Sequence, residues 1–418
     1  MATSFSMDDL YLVNSQRKIL YTVVLIDNHV GGHHLAYLRL YTKALLDLGC
    51  RVMTLSREPN AVKSWISTHY PQFTPQVQTF AIGGTEIPKF PLIRKLPQPI
   101  AILERWRQAA IAVQNYSDTI GWHPDLVFFN WLDSYFSHYL TPFLIDRIFP
   151  YPWAGLYFQV GDLRFQPHTL PIINKPLIHY GIANSSRCQA LGVLDETWSE
   201  SLQKSLKTQV ILFPDITDEV PPDRNYSIAQ QIRDKAGKRK IIGLIGSLSR
   251  RKGILTLLKV AQKSMEENWL FVFVGQLSED GFSLTELNYL KSLIHAPLKN
   301  CFFHLKPIPD EPQFNALIET FDILFCAYEN YPYSSNLLTK AAAFKKPVIV
   351  SQGFCMAERV NKFNLGITIP EGDAFKCKEA IQNLSALSNY KFGFETFKAW
   401  HSSDQLIKIF NKILFCIY

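Results

Sequence analysis

Residues 323–351 give the clearest local pattern in the chain, because an apolar run, a polar aromatic loop and a helical segment follow one another there. Residues 323–327 predict a buried strand, residues 334–344 predict a helix, and residues 347–351 predict the next strand. A strand, a crossover helix and a second strand form a βαβ unit, whose two strands run parallel in one sheet. The stretch therefore predicts an α/β fold with a parallel sheet.

The predicted helix of this unit opens on small polar residues. Ser334, Ser335 and Asn336 stand at its start, and Leu337 follows them. Such side chains cap helix starts, and the free N–H groups of a first turn attract anions. The segment predicts an anion site or an ordinary, well-capped helix, and by itself it does not separate the two.

Six predicted strands alternate with predicted helices through the second half of the chain, which is the pattern of a doubly wound parallel sheet. The first half opens in the same way, with a strand at 19–26, a glycine-containing turn, a helix at 33–48 and a strand at 51–55. At 418 residues the chain exceeds the ~250–300 residues at which a single core usually stops growing. We therefore predict an α/β protein with two Rossmann-like, doubly wound domains.

We expect the chain to divide into two domains at the charged, proline-containing stretch after residue 220. The expected segments are a loose tail at 1–17, a first domain at 18–220, a linker at 221–239, a second domain at 240–395 and a C-terminal helix at 396–418. The last helix has apolar residues along one face. It either packs back on the first domain, which we favour, or lies on a membrane surface.

The composition indicates a folded protein, because 47% of the residues are hydrophobic and 13% are aromatic. Residues 1–220 hold 18 basic and 18 acidic side chains, so the whole net charge of +7 lies in the second half, where it suits an anionic small ligand. No basic-aromatic motif for nucleic acid and no set of metal ligands stands out. The cysteines are scattered without a CxxC pair, as in proteins of a reducing compartment.

The sequence favours a cytoplasmic protein. No apolar run reaches the ~18–20 residues that span a bilayer, and the N-terminus lacks the basic start and apolar core of a signal peptide. Residues 89–107 mix basic with apolar and aromatic side chains. They favour an ordinary loop and helix, with peripheral contact at the inner face of a membrane as the alternative.

A basic turn opens the second half. Gly246 ends a predicted strand, Ser247 and Arg251 lie in the turn, and Lys252 and Gly253 begin a helix. Cations and N–H groups then lie at the carboxyl edge of a parallel strand, where such folds bind ligands. A phosphate or diphosphate suits them, because Arg and Lys form charge-assisted hydrogen bonds with its oxygens. A solvated basic turn is the alternative.

The turn after the first predicted strand is the second candidate region. Gly31 and Gly32 permit close approach of a ligand to the backbone. His33 and His34 follow, and a histidine there could orient a ligand or carry a proton, or merely begin the helix. Of the two we favour His33. Two more polar residues follow the strand at 125–129 and face the same edge: Asn130 and Asp133.

Several motifs resemble, in order and spacing, those of GT-B glycosyltransferases, and most closely the retaining family 4, also called glycosyl transferases group 1. Residues 346–351 (KPVIVS) resemble "GKPVIAS", and residues 369–373 (IPEGD) resemble "VPPGD". Residues 213–218 (FPDITD) resemble the interdomain "IPNGVD", and residues 124–127 (PDLV) resemble the "PDVVH" strand. The resemblance covers nearly the whole chain, from about Ile19 onward, and implies two Rossmann-like domains that face a cleft.

The resemblance implies transfer of a hexose from a UDP-, GDP- or ADP-linked sugar to a glycan, lipid-linked or small acceptor, with retention and without a separate cofactor or metal. The catalytic candidates are Lys252 and His33. The donor-binding candidates are Gly31, Gly32, Ser247, Arg251, Lys252, Glu329, Ser334, Ser335, Asn336 and Leu337. The acceptor-side candidates are His34, Asn130 and Asp133.

The chain departs from the family pattern at four positions. The usual arginine of the basic turn is Ser247, so that Arg250 or Arg251 would have to replace its charge. In the family, one glutamate holds the donor sugar and a second holds the nucleotide ribose. This chain has Pro332 at the first of these positions and Lys340 at the second, and the nearby Glu329 does not align with either. The family histidine after the "PDVVH" strand falls near Asn130.

Three other functions stay open from the sequence. The missing glutamates would suit a non-catalytic GT-B nucleotide-binding or scaffold protein. The Rossmann-like opening would suit an NAD-dependent oxidoreductase, although residues 27–32 lack GxGxxG and no acidic residue ends the second strand. An epimerase acting on nucleotide sugars would share the fold and differ in its product.

Overall fold

The computed structural model describes residues 21–30, 34–83, 98–160, 169–170, 173–176, 180–386 and 391–415. They form two α/β units, each built on one parallel sheet, and two C-terminal helices. The predicted tail at 1–17 lies outside the described residues, as do Gly31, Gly32, His33 and residues 89–97 of the basic stretch.

The strands of the first half are Thr22–Asp27 (β1), Arg51–Ser56 (β2), Val77–Ala81 (β3), Leu126–Phe129 (β4), Trp153–Tyr157 (β5), Thr169–Leu170 (β6), Ile173–Pro176 (β7), Cys188–Val193 (β8) and Gln209–Leu212 (β9). Seven of them form one parallel sheet in the order β3-β2-β1-β4-β5-β8-β9. The short strands β6 and β7 pair with each other as an antiparallel hairpin.

The strands of the second half are Lys240–Ile245 (β10), Trp269–Val274 (β11), Cys301–His304 (β12), Ile323–Cys326 (β13), Val348–Ser351 (β14) and Gly366–Ile369 (β15). They form a second parallel sheet in the order β12-β11-β10-β13-β14-β15. The predicted fold class, two doubly wound parallel-sheet units, is confirmed.

The helices are His34–Asp47 (α1), Pro59–His69 (α2), Gln98–Ile120 (α3), Pro142–Ile148 (α4), Glu196–Ser205 (α5), Ser227–Ala236 (α6), Ile254–Gln262 (α7), Leu284–His295 (α8), Glu311–Thr320 (α9), Leu337–Ala343 (α10), Cys355–Phe363 (α11), Ala374–Ala386 (α12), Phe394–Trp400 (α13) and Ser403–Phe415 (α14). They cover both faces of each sheet, so the central strands are buried on both sides. All six residues of β1 and of β11 are buried, as expected for parallel strands whose sequences are almost continuously apolar.

Several element predictions in the first half are wrong. The proline-rich sequence of residues 57–100 predicts irregular structure, yet the stretch contains α2 and β3. Residues 182–184 predict a short strand and form a 3₁₀ turn. Residues 132–148 predict one helix and form a 3₁₀ turn at Leu132–Tyr135 followed by α4. Pro142 explains the break, because proline is tolerated in the first turn of a helix but disrupts a helix interior.

The predicted linker at 221–239 is wrong over part of its length. Residues 227–236 form α6, whose Ala229 and Ile232 are fully buried in the core of the second unit. Their spacing of three residues, continued by Ala236, is helical and marks a packed face. The connection between the units is therefore the extended segment from Phe213 to about residue 226.

The chain returns to the first unit at its end. Helix α13 packs on the second unit, where Phe397 contacts Phe363 at 5.1 Å between ring centres. Helix α14 lies on the first unit, and its Phe410 meets Phe128 at 5.2 Å and Tyr41 at 5.3 Å. The apolar face of α14 is thus covered by protein. Within the described residues, no helix combines the length and the apolar character needed to cross a bilayer.

Candidate functional site

The strand order places one crevice at the carboxyl edge of each sheet. In the first sheet the chain moves from β1 through β2 to β3 and then starts again on the other side of β1 with β4. In the second sheet it moves from β10 through β11 to β12 and then restarts with β13. Ligands of doubly wound folds bind at such switch points. The loops that follow β1, β4, β10 and β13 are therefore the places to look for a site.

Arg250 is the first of three consecutive cations after β10, and carboxylates surround it. Its Nε lies 3.2 Å from a Glu286 carboxylate oxygen, and its Nη1 lies 2.6 Å from one of Glu329. The backbone N–H of Glu329 also donates to the carbonyl oxygen of Arg251 at 2.8 Å. These contacts fasten the loop after β13 to the basic turn. Glu329, a predicted donor ligand, is thus paired with Arg250 in this structure, and its donor role stays a prediction.

Lys252 has no carboxylate partner in the part of the chain that the structure describes. Its ammonium donates to the Tyr328 hydroxyl at 2.7 Å and lies 4.1 Å from the centre of the same ring. Burial, with the nearby charge of Arg251, lowers the pKa of Lys252 to about 8. A bound anion would stabilise the charged form of this ammonium, because it would supply the missing counter-charge.

Arg251 is the exposed cation of the turn. Its guanidinium carbon lies 4.4 Å from the centre of the Tyr331 ring, and the Tyr331 hydroxyl donates to the carbonyl oxygen of Ser334 at 3.0 Å. Since carboxylates occupy Arg250, Arg251 is the cation that can replace the charge missing at the exposed Ser247. The two tyrosines after β13 thus hold two cations at the switch point of the second sheet.

Gly253 lets the basic turn pack closely on β13. Its φ of +74° lies in the left-handed region, which favours glycine. A Cβ at this position would lie 2.4 Å from the carbonyl oxygen of Ala327, well inside van der Waals contact. The glycine therefore sets the distance between the basic turn and the loop that carries Tyr328.

The start of α10 differs from the prediction. The helix begins at Leu337, which is buried, and not at Ser334. The Ser334 hydroxyl is buried and donates to Asp215, so it is not available to an anion. Ser335 shares a hydrogen bond with the Tyr328 hydroxyl, and Asn336 makes no capping hydrogen bond with its side chain. The side chains of Ser334 and Ser335 are thus engaged by other protein groups, and the anion seat at this helix start stays a prediction.

Lys340, which stands where the family has its second glutamate, is a structural residue. Its ammonium donates to Glu311 at 2.6 Å, to Asn315 at 2.6 Å and to the carbonyl oxygen of Asp218. An ammonium has three protons, so these acceptors satisfy it completely. Lys340 therefore ties α9 and α10 to the connecting segment.

In the first unit, an acidic and aromatic cluster follows β1. Asp27 is buried, and its carboxylate lies 3.2 Å from Nδ1 of His34. His29 stacks on His34 at 4.7 Å, and Trp131 lies 4.6 Å from His34 while its ring stacks on Phe158 at 4.3 Å. Burial, followed by the nearby His34, lowers the pKa of His29. The structure thus brings together His34 and the loop after β4.

Polar groups without hydrogen-bond partners among the described residues surround this cluster. They are the Oδ1 atom of Asn28, the hydroxyl of Ser56 and both polar atoms of the Asn130 side chain, and all of these atoms are buried. Of these residues, Ser56 lines a small cavity, together with Asp27, His29, His34, Leu35, Leu38 and Glu58. Buried polar groups usually have partners, so unmatched neutral donors and acceptors indicate a place for ligand hydroxyl groups or ordered water.

Asp133 has a structural role at the same edge. Its carboxylate accepts backbone N–H groups of Phe158 at 2.9 Å and of Gln159 at 2.6 Å. The side chain fixes the loop after β5, which carries the Phe158 ring under Trp131. Of the three acceptor-side candidates, Asp133 is therefore engaged by this backbone, whereas His34 lies against Asp27 and the Asn130 side chain has no hydrogen-bond partner among the described residues.

Some site residues escaped the sequence analysis. Tyr328 and Tyr331 lie in a loop whose sequence is polar and aromatic, but nothing in that sequence shows that their rings hold cations. Asp27 ends β1 and Ser56 ends β2, so their positions at the carboxyl edge were a usable signal. Among the described residues, no group of three or more His, Cys, Asp or Glu side chains could hold a metal ion.

Comparisons with known proteins show what this chain is similar to. Residues 227–391 match the family model of glycosyl transferases group 1. A comparison with curated proteins gave no match. The matched residues comprise α6 and the whole second sheet, with the loops that carry Arg251, Lys252 and Tyr328.

Three solved structures share the arrangement of the whole chain. Sucrose-phosphate synthase from Thermosynechococcus elongatus matches with a TM-score of 0.65 and 17% identity, over 94% of this chain and 98% of that one. Anabaena HepE in complex with UDP and glucose matches with a TM-score of 0.61 and 14% identity, over 94% and 99%. WaaG, a glycosyltransferase involved in lipopolysaccharide biosynthesis, matches with a TM-score of 0.55 and 13% identity, over 94% and 97%. The chain has the GT-B fold, and residues 227–391 are similar to the glycosyl transferases group 1.

Proposed function

We propose that this protein is a glycosyltransferase that moves a hexose from a nucleotide diphosphate sugar to an acceptor, with retention at the anomeric carbon. The observation that carries the proposal is the pair Arg251 and Lys252, two cations without carboxylate partners among the described residues, at the switch point of a group 1 domain. Such a pair suits the two negatively charged phosphates of a donor. UDP-glucose is the first donor to test, because HepE has been solved in complex with it.

The arrangement supports a division of labour between the two units. In the reaction, the bond between the anomeric carbon and the β-phosphate oxygen breaks, and the acceptor oxygen bonds to the same carbon. The acceptor proton passes to the departing phosphate oxygen. Lys252 and Arg251 would stabilise the charge that develops on the diphosphate, which is the largest task in such a transfer. The Asp27–His34 pair, Ser56 and Asn130 would orient the hydroxyl groups of the acceptor.

The test is nucleotide binding with matched variants. We expect UDP, or else GDP or ADP, to bind the wild-type protein, and Lys252→Ala or Arg251→Ala to weaken binding at least about tenfold, because each removes a hydrogen bond between charged groups worth about 1.5–3 kcal/mol. Lys263→Ala, which removes an exposed lysine just after α7, is the control and should bind normally. Binding of NAD alone, or of none of these nucleotides, would refute the proposal.

A non-catalytic binding protein is the second candidate, and Lys340 favours it. At this position the family's carboxylate is replaced by an ammonium that other protein groups satisfy. Turnover separates the two functions: a transferase releases UDP from UDP-glucose, at least slowly to water, and Lys252→Ala abolishes this release. A binding protein would hold UDP-glucose with the same dependence on Lys252 and release nothing.

A further inference from the structure

Asp215 joins the two units of the protein. It lies in the connecting segment, and 1% of its surface is exposed. The hydroxyl of Tyr37, on α1 of the first unit, donates to its Oδ1 at 2.6 Å. Two groups of the second unit donate to its Oδ2, the hydroxyl of Ser334 and Nη1 of Arg359, the latter at 3.3 Å. One buried carboxylate therefore receives hydrogen bonds from both units.

Arg359 holds the same junction from the second unit. Only 2% of its surface is exposed, and its Nη1 also donates to the Ser334 oxygen. Its Nε donates to Glu196 of α5 at 3.1 and 3.2 Å, and its Nη2 donates to the carbonyl oxygen of Leu194. A guanidinium of one unit is thus inserted into the other. Breaking such a buried pair is costly, because it leaves a charge without a partner.

The junction is connected to the candidate donor site through Ser334. The carbonyl oxygen of this residue accepts the Tyr331 hydroxyl, and the Tyr331 ring holds the Arg251 guanidinium. Three steps therefore lead from Asp215 to a cation of the basic turn. On the other side, Tyr37 contacts Phe158 at 5.5 Å between ring centres, and Phe158 stacks on Trp131 beside the acceptor-side cluster.

We propose that Tyr37, Asp215, Ser334 and Arg359 form an interdomain latch that positions the Tyr331–Arg251 pair, so that donor affinity in the second unit depends on a hydroxyl of the first. This inference rests on the proposed function, because it takes Arg251 as a donor ligand. Tyr37 and Asp215 are positioning residues, since they act on the donor through Ser334 and Tyr331. The energetic link runs through side-chain hydrogen bonds, the backbone carbonyl of Ser334 and the contact between Arg251 and the Tyr331 ring.

The chain supplies a matched control on the same helix. Tyr41 is one turn after Tyr37 on α1 and is fully buried, yet its hydroxyl has no hydrogen-bond partner within the described residues. Tyr37→Phe and Tyr41→Phe therefore remove the same atom from the same helix, and Tyr37→Phe alone removes a hydrogen bond to Asp215. Ile145→Val, in the other core cluster of the first unit, controls for a general loss of stability.

The experiment is isothermal titration calorimetry with UDP, GDP and ADP, well below the melting temperature of each variant. We expect Tyr37→Phe to lower the affinity for the nucleotide that the wild-type protein binds by about fivefold or more, which corresponds to a coupling free energy of about 1 kcal/mol. Tyr41→Phe and Ile145→Val should bind as the wild type does. Unchanged affinity in Tyr37→Phe would overturn the latch and leave the proposed function standing. No binding to the wild-type protein would overturn both.

A double-mutant cycle tests whether the latch acts through Ser334. Ser334→Ala removes the hydroxyl that meets Asp215 from the second unit, and we expect it to weaken nucleotide binding by a similar factor. If both variants break one path, Tyr37→Phe with Ser334→Ala will weaken binding by less than the product of the two single factors. If the double variant loses affinity by the full product of the two single factors, the two residues contribute independently, and the proposed path is overturned.

Discussion

The low pKa of Lys252 predicts that donor binding weakens as the pH rises. Burial of the ammonium against Tyr328 lowers this pKa to about 8, so the charge that would meet the diphosphate is lost within an accessible range. A bound diphosphate favours the ammonium and raises the pKa again. Binding near pH 8 must therefore take up a proton.

The size of the effect follows from the fraction of charged Lys252. With a pKa of about 8, roughly 0.9 of the free protein carries the ammonium at pH 7 and roughly 0.1 at pH 9. If only the charged form binds the diphosphate, affinity for UDP-glucose falls about tenfold over these two pH units. Calorimetry across this range gives the affinity. Repetition at pH 8 in buffers of different ionisation enthalpy gives the proton uptake.

Lys252→Arg is the control, because a guanidinium stays charged throughout this range. Its affinity for UDP-glucose should change little between pH 7 and pH 9, apart from any titration of the nucleotide itself, which both proteins share. A wild-type profile as flat as that of Lys252→Arg would refute the reasoning. So would an equally steep decline in both proteins, since some other group would then be responsible.

Two further predictions concern stability. His401 accepts the backbone N–H of Asp215 at 2.9 Å, and burial lowers the pKa of His401 to about 2. The unfolded chain therefore binds a proton at pH 5 that the folded protein does not bind. Urea unfolding should show that this group lowers the free energy of unfolding by about 2 kcal/mol between pH 7 and pH 5, and His401→Gln should lack that loss. Gly253→Ala should destabilise the protein by more than about 2 kcal/mol, because it adds a clash with Ala327 to a positive φ. Gly49→Ala, at a φ of +81° with open space after a helix end, should cost only about 1 kcal/mol. Equal losses of stability in thermal unfolding would contradict the packing argument.

The sequence was most informative where one local rule decided the structure. Each strand of the second sheet begins and ends within about two residues of its predicted position. The four inner strands are mostly apolar, because burial on both faces favours such runs. The first half was less predictable. Strand β8 contains Gln189 and two glycine or alanine positions, so its sequence does not read as an apolar run even though it lies inside the sheet.

The candidate site was predictable in place but not in detail. The basic turn and the loop after β13 were found from their positions at strand ends. Glu286, which is distant in sequence, pairs with Arg250 and so leaves Arg251 as the arginine that can meet a ligand. No local sequence pattern shows that contact. The same applies to Ser334: a serine before a helix predicts a cap, and only the fold brings Asp215 within reach of its hydroxyl.

The double crossing of the chain restricts how this molecule can move. One crossing is the segment that contains Asp215, the other leads from α13 into α14, and the hydrogen bond between Asp215 and His401 joins the two. A pair of bodies connected by a single strand can twist, tilt and slide. Two connections that are hydrogen-bonded to each other restrict these motions, because neither crossing can shift without the other. Any change in the angle between the two sheet edges must then bend both crossings together.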